Sequence, residues 1–244
     1  MKNRLLTCVS AVILTAGLNA TAHATLIDRG NGMIYDSAQD ITWLQDANYA
    51  LTSGYAAANV RRNGRWATDN IFANGKMGWD AAITWADNLV YGGYSDWRLA
   101  SVTDRGNDGC NRSFNGTDCG FNVDTSGSEL AYMWYNILGN TPYYDTSGNG
   151  PQSGWGLTST TADGIDLLNL RSSRYWSGTQ YAPNANRAWL FNTRKGFQRG
   201  KPKRAESFAW AVRSGDVATV AEPGTLLLLA AGLVGIAVTR RKRC

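Results

Sequence analysis

The stretch Gly78 to Ser101, GWDAAITWADNLVYGGYSDWRLAS, decides the fold. Trp79, Ala82, Ile83, Ala86, Leu89 and Val90 recur at helical spacing, so one apolar face is expected to run as far as the Gly92-Gly93 break. Behind the break, Asp96-Trp97-Arg98-Leu99 sets an aromatic core residue between two charges suited to pinning a loop by charge-assisted hydrogen bonds. Upstream, LIDRGNGMIYDSAQDITWL from Leu26 to Leu44 reads as a hairpin or meander, broken at Gly30-Asn31-Gly32 and again at Ser37 to Asp40. Downstream, Leu130, Met133, Trp134, Ile137 and Leu138 predict a second helix from about Ser128 to Gly139. Short apolar or aromatic runs at Ile165 to Leu170, Arg174 to Ser177, Ala188 to Asn192 and Phe208 to Val212 read as strands. Two helices among several short antiparallel strands and long polar loops make a single α+β domain.

Both ends of the chain read as targeting segments. Lys2 and Arg4 precede an apolar stretch from Leu5 to Leu18, and Ala22-His23-Ala24 offers small residues at the positions a signal peptidase reads, so residues 1–24 form a signal peptide cut after Ala24. An uncleaved membrane anchor is the alternative. At the other end, AEPGTLLLLAAGLVGIAVTRRKRC joins a Glu-Pro pair, an apolar run and a basic cluster. As a helix, Leu226 to Val238 spans about 20 Å against a hydrocarbon core of about 30 Å, a short transmembrane helix of marginal length. Arg240, Arg241, Lys242 and Arg243 would hold its end inside, with the body outside. This tail, residues 221–244, resembles the PEP-CTERM sorting signal processed by an exosortase. Glu222 and Pro223 carry the motif, and Ala221 stands where its first proline usually is. An ordinary C-terminal membrane helix is the plainer reading.

The targeting segments also hold the chain's excess charge. The formal charge is +5, yet Thr25 to Val220 contains eighteen Lys and Arg against eighteen Asp and Glu, so no nucleic-acid partner is expected. The single histidine, His23, leaves with the signal peptide, and with it go Ser-His-Asp, Cys-His and the common histidine-containing zinc chemistries. Of four cysteines only Cys110 and Cys119 lie in the body. An even pair in an oxidising compartment predicts a disulfide, adding about 2.5–3 kcal/mol on the chain-entropy model; a free reactive pair is the alternative.

LIDRGNGMIYDSAQDITWLQDA, GWDAAITWADNLVYGGYSDWRLAS, SEL, YWSGTQYAPNANRAWLFN and FAWAVRSGD follow in order from Leu26 to Asp216. In that order they resemble the Lcl C-terminal domain family, a domain of unknown function. Its strongest motif here is Asp96-Trp97-Arg98-Leu99, followed by Ala100-Ser101 where the family usually has Pro-Thr. The resemblance implies a C-type-lectin-like or sulfatase-modifying-factor-like fold for residues 25–220. For the family's namesake it implies an adhesin role with sulfated polysaccharide ligands. Ligand is inherited less safely than fold.

Candidate binding residues fall into two groups. Tyr143, Tyr144, Trp155 and Tyr181 sit among Gly, Ser, Thr, Asn and Pro, a composition that suits the apolar faces and polar rims of sugars and equally suits a plain polar loop. Arg194, Lys195, Arg199, Lys201, Lys203 and Arg204 crowd one stretch between two predicted strands, either a polyanion site or a solubilising hairpin loop. Asp96, Trp97, Arg98 and Leu99 are expected to be structural, as are Trp176, Trp189 and Trp210. No cofactor is expected. Ca²⁺ is the one alternative, held by Asp104, Asp108, Asp118 and Asp124, although Gly106 breaks the EF-hand pattern and a solvated turn-rich loop reads equally well. The partners are then signal peptidase and exosortase in processing, the membrane before processing, and polysaccharide. The expected protein is non-catalytic, exported through the inner membrane to the cell surface or extracellular matrix, and binds glycan or exopolysaccharide. A structural surface protein without a small ligand and a carboxylate-dependent glycan-active enzyme are the alternatives.

Overall fold

In a computed structural model, residues 26–105, 113–161 and 163–217 are described. The expected signal peptide, Cys110, Asp108 and the sorting tail with its membrane helix lie outside them. No helix among the described residues is long and apolar enough to cross a membrane.

The chain opens as a meander of β1 (Leu26–Asp28), β2 (Met33–Asp36) and β3 (Ile41–Leu44). Gly30, Asn31 and Gly32 all take positive φ at the first turn. Asp36 builds the second by accepting from the Ala38 and Gln39 N–H groups at 3.0 and 3.2 Å. Then follow two one-turn helices, α1 (Tyr49–Thr52) and α2 (Tyr55–Ala58), the helix α3 (Trp79–Asp87), and the short strands β4 (Arg98–Leu99) and β5 (Gly120–Phe121). Helix α4 (Glu129–Tyr132) is capped by the Ser128 hydroxyl and continues as a π-helical turn, Met133–Ile137. The chain closes with β6 (Arg174–Gln180), β7 (Arg187–Asn192), β8 (Phe197–Pro202) and β9 (Ala211–Ser214). Two antiparallel sheets result, ordered β1-β2-β3-β9-β4 and β5-β8-β7-β6, so the described part is α+β.

Tryptophan fills the interior. Trp43, Trp97, Trp134, Trp176, Trp189 and Trp210 are essentially inaccessible. Burying 150–250 Å² per ring contributes about 4–6 kcal/mol each before entropy is charged against it. Three of them anchor their polar ends to the backbone: Trp210 Nε1 donates to Leu44 O at 2.7 Å, Trp134 Nε1 to Thr193 O at 2.8 Å and Trp176 Nε1 to Met77 O at 2.9 Å. These bonds join segments far apart in sequence, so each of these three rings is both filler and tie.

Four expectations need correction. α3 stops at Asp87, short of Gly92-Gly93, and Val90 is 71% exposed, off the buried face. Two extra one-turn helices precede it, too short to leave a periodic signal. Ile165 to Leu170 forms only single bridges, Asp166 with Thr160 and Leu168 with Asp46. The basic stretch read as a loop contains the strand β8.

Candidate functional site

Asp96-Trp97-Arg98-Leu99 is an internal clamp. Trp97 and Leu99 are buried at 2%, and Asp96 receives both arms of Arg213 on β9 at 2.8 and 2.9 Å. Arg98 reaches across to Glu129, the first residue of α4, through two bonds of 2.7 Å, and Glu129 Oε2 also accepts from the Ser101 N–H at 2.6 Å. The Arg213 bond holds the Asp96 carboxyl below the ordinary aspartate value, and the Glu129 bond raises the Arg98 guanidinium further. Glu129 borders a polar cleft of about 420 Å³ with Gln39, Ser101 and Tyr132. Behind its rim Asp36 is wholly buried, and desolvation pushes its carboxyl up.

The aromatic candidates separate. Tyr143 meets Trp155 and Tyr144 edge to face, each at 4.7 Å, and Lys195 Nζ lies 4.3 Å from the Tyr143 ring. Tyr144 continues inward to Phe121 at 5.0 Å, and Phe121 to Phe197 at 4.7 Å. Tyr181 belongs elsewhere, against Trp189 at 5.0 Å and over the backbone of Gly200, where an added Cβ would lie 2.9 Å from its ring. Trp155 also lines a cleft of about 220 Å³ between residues 139–141 and 154–158.

The basic candidates separate as well. Arg194 and Lys195 sit at the β7–β8 turn, whereas Arg199 and Lys201 share the outer face of β8 because Gln198 and Gly200 alternate inward. Lys203 Nζ lies 4.2 Å from the Trp79 ring and donates to Gln180 Oε1 at 2.7 Å. Arg204 lies 4.2 Å from the Trp66 ring. The segment before α3 is laid along this edge by backbone bonds, Met77 N to Ser207 O at 2.9 Å and Trp79 N to Lys203 O at 2.8 Å. That pairing brings Arg65 beside Arg174, Lys201 and Arg204 around a cleft of about 380 Å³, with Glu206 its single carboxylate. Trp66, flanked by Arg65 and Arg204, is 66% exposed. Sequence reasoning missed Trp66, Arg65 and Arg174; the run Arg61, Arg62, Arg65, Trp66 in a polar stretch was the available signal.

Three of the four acidic candidates lie among the described residues, and each is engaged by hydrogen bonds. Asp104 accepts from Trp189 Nε1 and the Ala182 N–H, Asp118 from the Arg105 N–H, and Asp124 from Ser126 and Arg105. Among the described residues no group of three or more His, Cys, Asp or Glu is placed to hold a metal. Cys119 is buried with Val102 and Trp189, and its expected disulfide partner Cys110 lies outside the described residues.

Residues 219–243 match the PEP-CTERM protein-sorting motif, which includes Glu222 and Pro223. This motif marks an exported protein sorted by an exosortase to the cell envelope or surface. Neither the curated proteins nor the solved structures contain a match to the chain.

Proposed function

We propose that this exosortase-sorted surface protein is a non-catalytic binder of acidic polysaccharide, held by the cleft of Arg65, Arg174, Lys201 and Arg204 and the exposed ring of Trp66. The observation that carries this reading is Trp66, two-thirds exposed with Arg65 and Arg204 against its ring, the same two residues that line a cleft with Arg174 and Lys201. An indole face takes the apolar face of a sugar ring, and guanidinium forks take its carboxylate or sulfate groups. Signal peptidase removes residues 1–24, the tail rests in the membrane before processing, Cys119 pairs with Cys110, and the body is the lectin-like domain that the sequence resemblance implies.

The test uses the full chain in a detergent without a sugar headgroup, titrated with a heparin-like sulfated polysaccharide, a polyuronate and neutral dextran. Both acidic polymers bind, dextran does not bind at this cleft, and affinity falls steeply with salt. Lys201→Gln with Arg204→Gln weakens binding by about tenfold or more and flattens the salt slope; Trp66→Ala weakens it at all salt concentrations. Unchanged affinity in both variants overturns the reading and favours a structural surface protein without a small ligand.

A further inference from the structure

The one-turn helices α1 and α2 and the end of α3 enclose a cleft of about 430 Å³ that polysaccharide binding at the basic face leaves unused. Tyr49, Tyr55, Ala58, Trp85, Leu89 and Val90 form most of its wall, and no charged residue lines it. Ala58 and Val90 are exposed, Val90 at 71%. A largely apolar wall without charge, with an exposed aliphatic side chain at its rim, fits an apolar partner.

Its place in the fold identifies that partner. Asp216 and Val217 follow β9 and end the described body. Asp216 O accepts from Arg213 Nη1 at 3.3 Å, and the Arg213 guanidinium carbon lies 4.1 Å from the centre of the Tyr94 ring. Tyr94 exchanges two backbone hydrogen bonds of 3.0 Å with Tyr91, the residue after Val90, and the Tyr91 ring meets the Tyr49 ring of the cleft at 5.0 Å. The chain therefore leaves the body beside this cleft. Only residues 218–225 separate Val217 from the apolar run Leu226 to Val238, and that length of chain reaches at most about 30 Å. While the run sits in a bilayer, the lipid surface is held within that distance of the cleft's end of the body.

Two rival occupants fit less well. A cleft of this volume covers a few of the side chains from Leu226 to Val238, whereas a bilayer covers all of them, so the run stays in lipid. A stable interface with a second copy takes about 800 Å² from each partner, more than one cleft and its rim supply. Lipid contact needs no such area, because a short tether holds the body at an effective concentration of about millimolar, where a few apolar side chains suffice. The phenols of Tyr49 and Tyr55 suit the boundary between headgroups and acyl chains.

We infer that the cleft between α1, α2 and the end of α3, with Val90 at its rim, is a lipid-contact face on which the body lies against the bilayer until the tail is removed. This rests on the reading that the tail is in the membrane before processing, and it is independent of the basic cleft.

The test reconstitutes the full chain in phosphatidylcholine vesicles with benzoylphenylalanine in place of Val90, of Ala58, or of Trp66 as a similarly exposed control on the basic face, followed by irradiation. Vesicle flotation reports on the tail, and mass spectrometry of the adducts reports on the face. Positions 58 and 90 capture phospholipid, and position 66 captures about tenfold less. Val90→Asp lowers capture at position 58 by about tenfold or more with the melting temperature held, because residue 90 is exposed in the folded body. A chain that does not float with the vesicles overturns the tail reading and this inference together. A chain that floats yet gives no lipid adduct at positions 58 and 90, or gives as much at position 66, overturns this inference alone. Adducts to a second copy of the chain, or to residues 226–238, in place of lipid have the same consequence.

Discussion

Arg98 commits its guanidinium to Glu129, and Glu129 spends its remaining capacity on the Ser101 N–H, so three chain segments meet at one carboxylate. The Glu129 side chain is only 15% exposed, which makes the loss of its partner costly. Removing one member of a buried pair leaves an uncompensated charge, whereas removing both leaves none. Arg98→Met is therefore expected to lower stability by about 2–4 kcal/mol, and Arg98→Met with Glu129→Gln by clearly less than the sum of the single changes. Urea midpoints of the three variants decide it; additive losses would show the two residues act independently. The structural reading of Asp96-Trp97-Arg98-Leu99 was legible in sequence because charges flanking a tryptophan behind a Gly-Gly turn have few other uses. Their partners, Arg213 and Glu129, were not legible, since each lies at a long sequence separation.

Strand β8 shows how an element reassigns its residues. Gln198 faces inward, where it accepts from the Ser128 hydroxyl at 2.7 Å and donates to Asp118 O at 2.7 Å, so Arg199 and Lys201 must face outward. A dense run of cations masked this strand, because the two residues on its buried face, Gln198 and Gly200, carry no apolar side chain to mark it. Gly200 is small for a packing reason: the Tyr181 ring covers its backbone and abuts Trp189. Tyr181 is thus a cover for β7 and β8 and stands apart from the aromatic loop with which its composition grouped it. Tyr181→Ala is expected to destabilise by about 1–3 kcal/mol while leaving polysaccharide affinity unchanged. Thermal melts paired with the titrations check this, and a large affinity loss at unchanged stability would return Tyr181 to the ligand. The end of α3 was misplaced for a related reason, since Leu89 and Val90 kept the helical period after the helix had stopped, and only burial separates the two.

At the scale of the whole molecule, the sorting motif at residues 219–243 lies outside the described domain of residues 26–217. Replacing Glu222 and Pro223 by Ala is expected to block tail removal, so that the protein stays in the membrane fraction with its tail attached. Cell fractionation with mass spectrometry of the C-terminus reads this directly, and a normally processed double variant would contradict the role of that pair. Sequence by itself determined the parts that chemistry writes locally: the sorting motif, the opening meander, and tryptophan as core filler. These follow from residue type, short-range period or residue order, none of which depends on distant partners. Tertiary structure alone decided which residues share a surface. Trp66 and Arg65 join Lys201 and Arg204 only because backbone bonds lay the segment before α3 along the end of β8. Such juxtapositions arise from long-range pairing and packing, and a linear pattern of residues carries no distance between them.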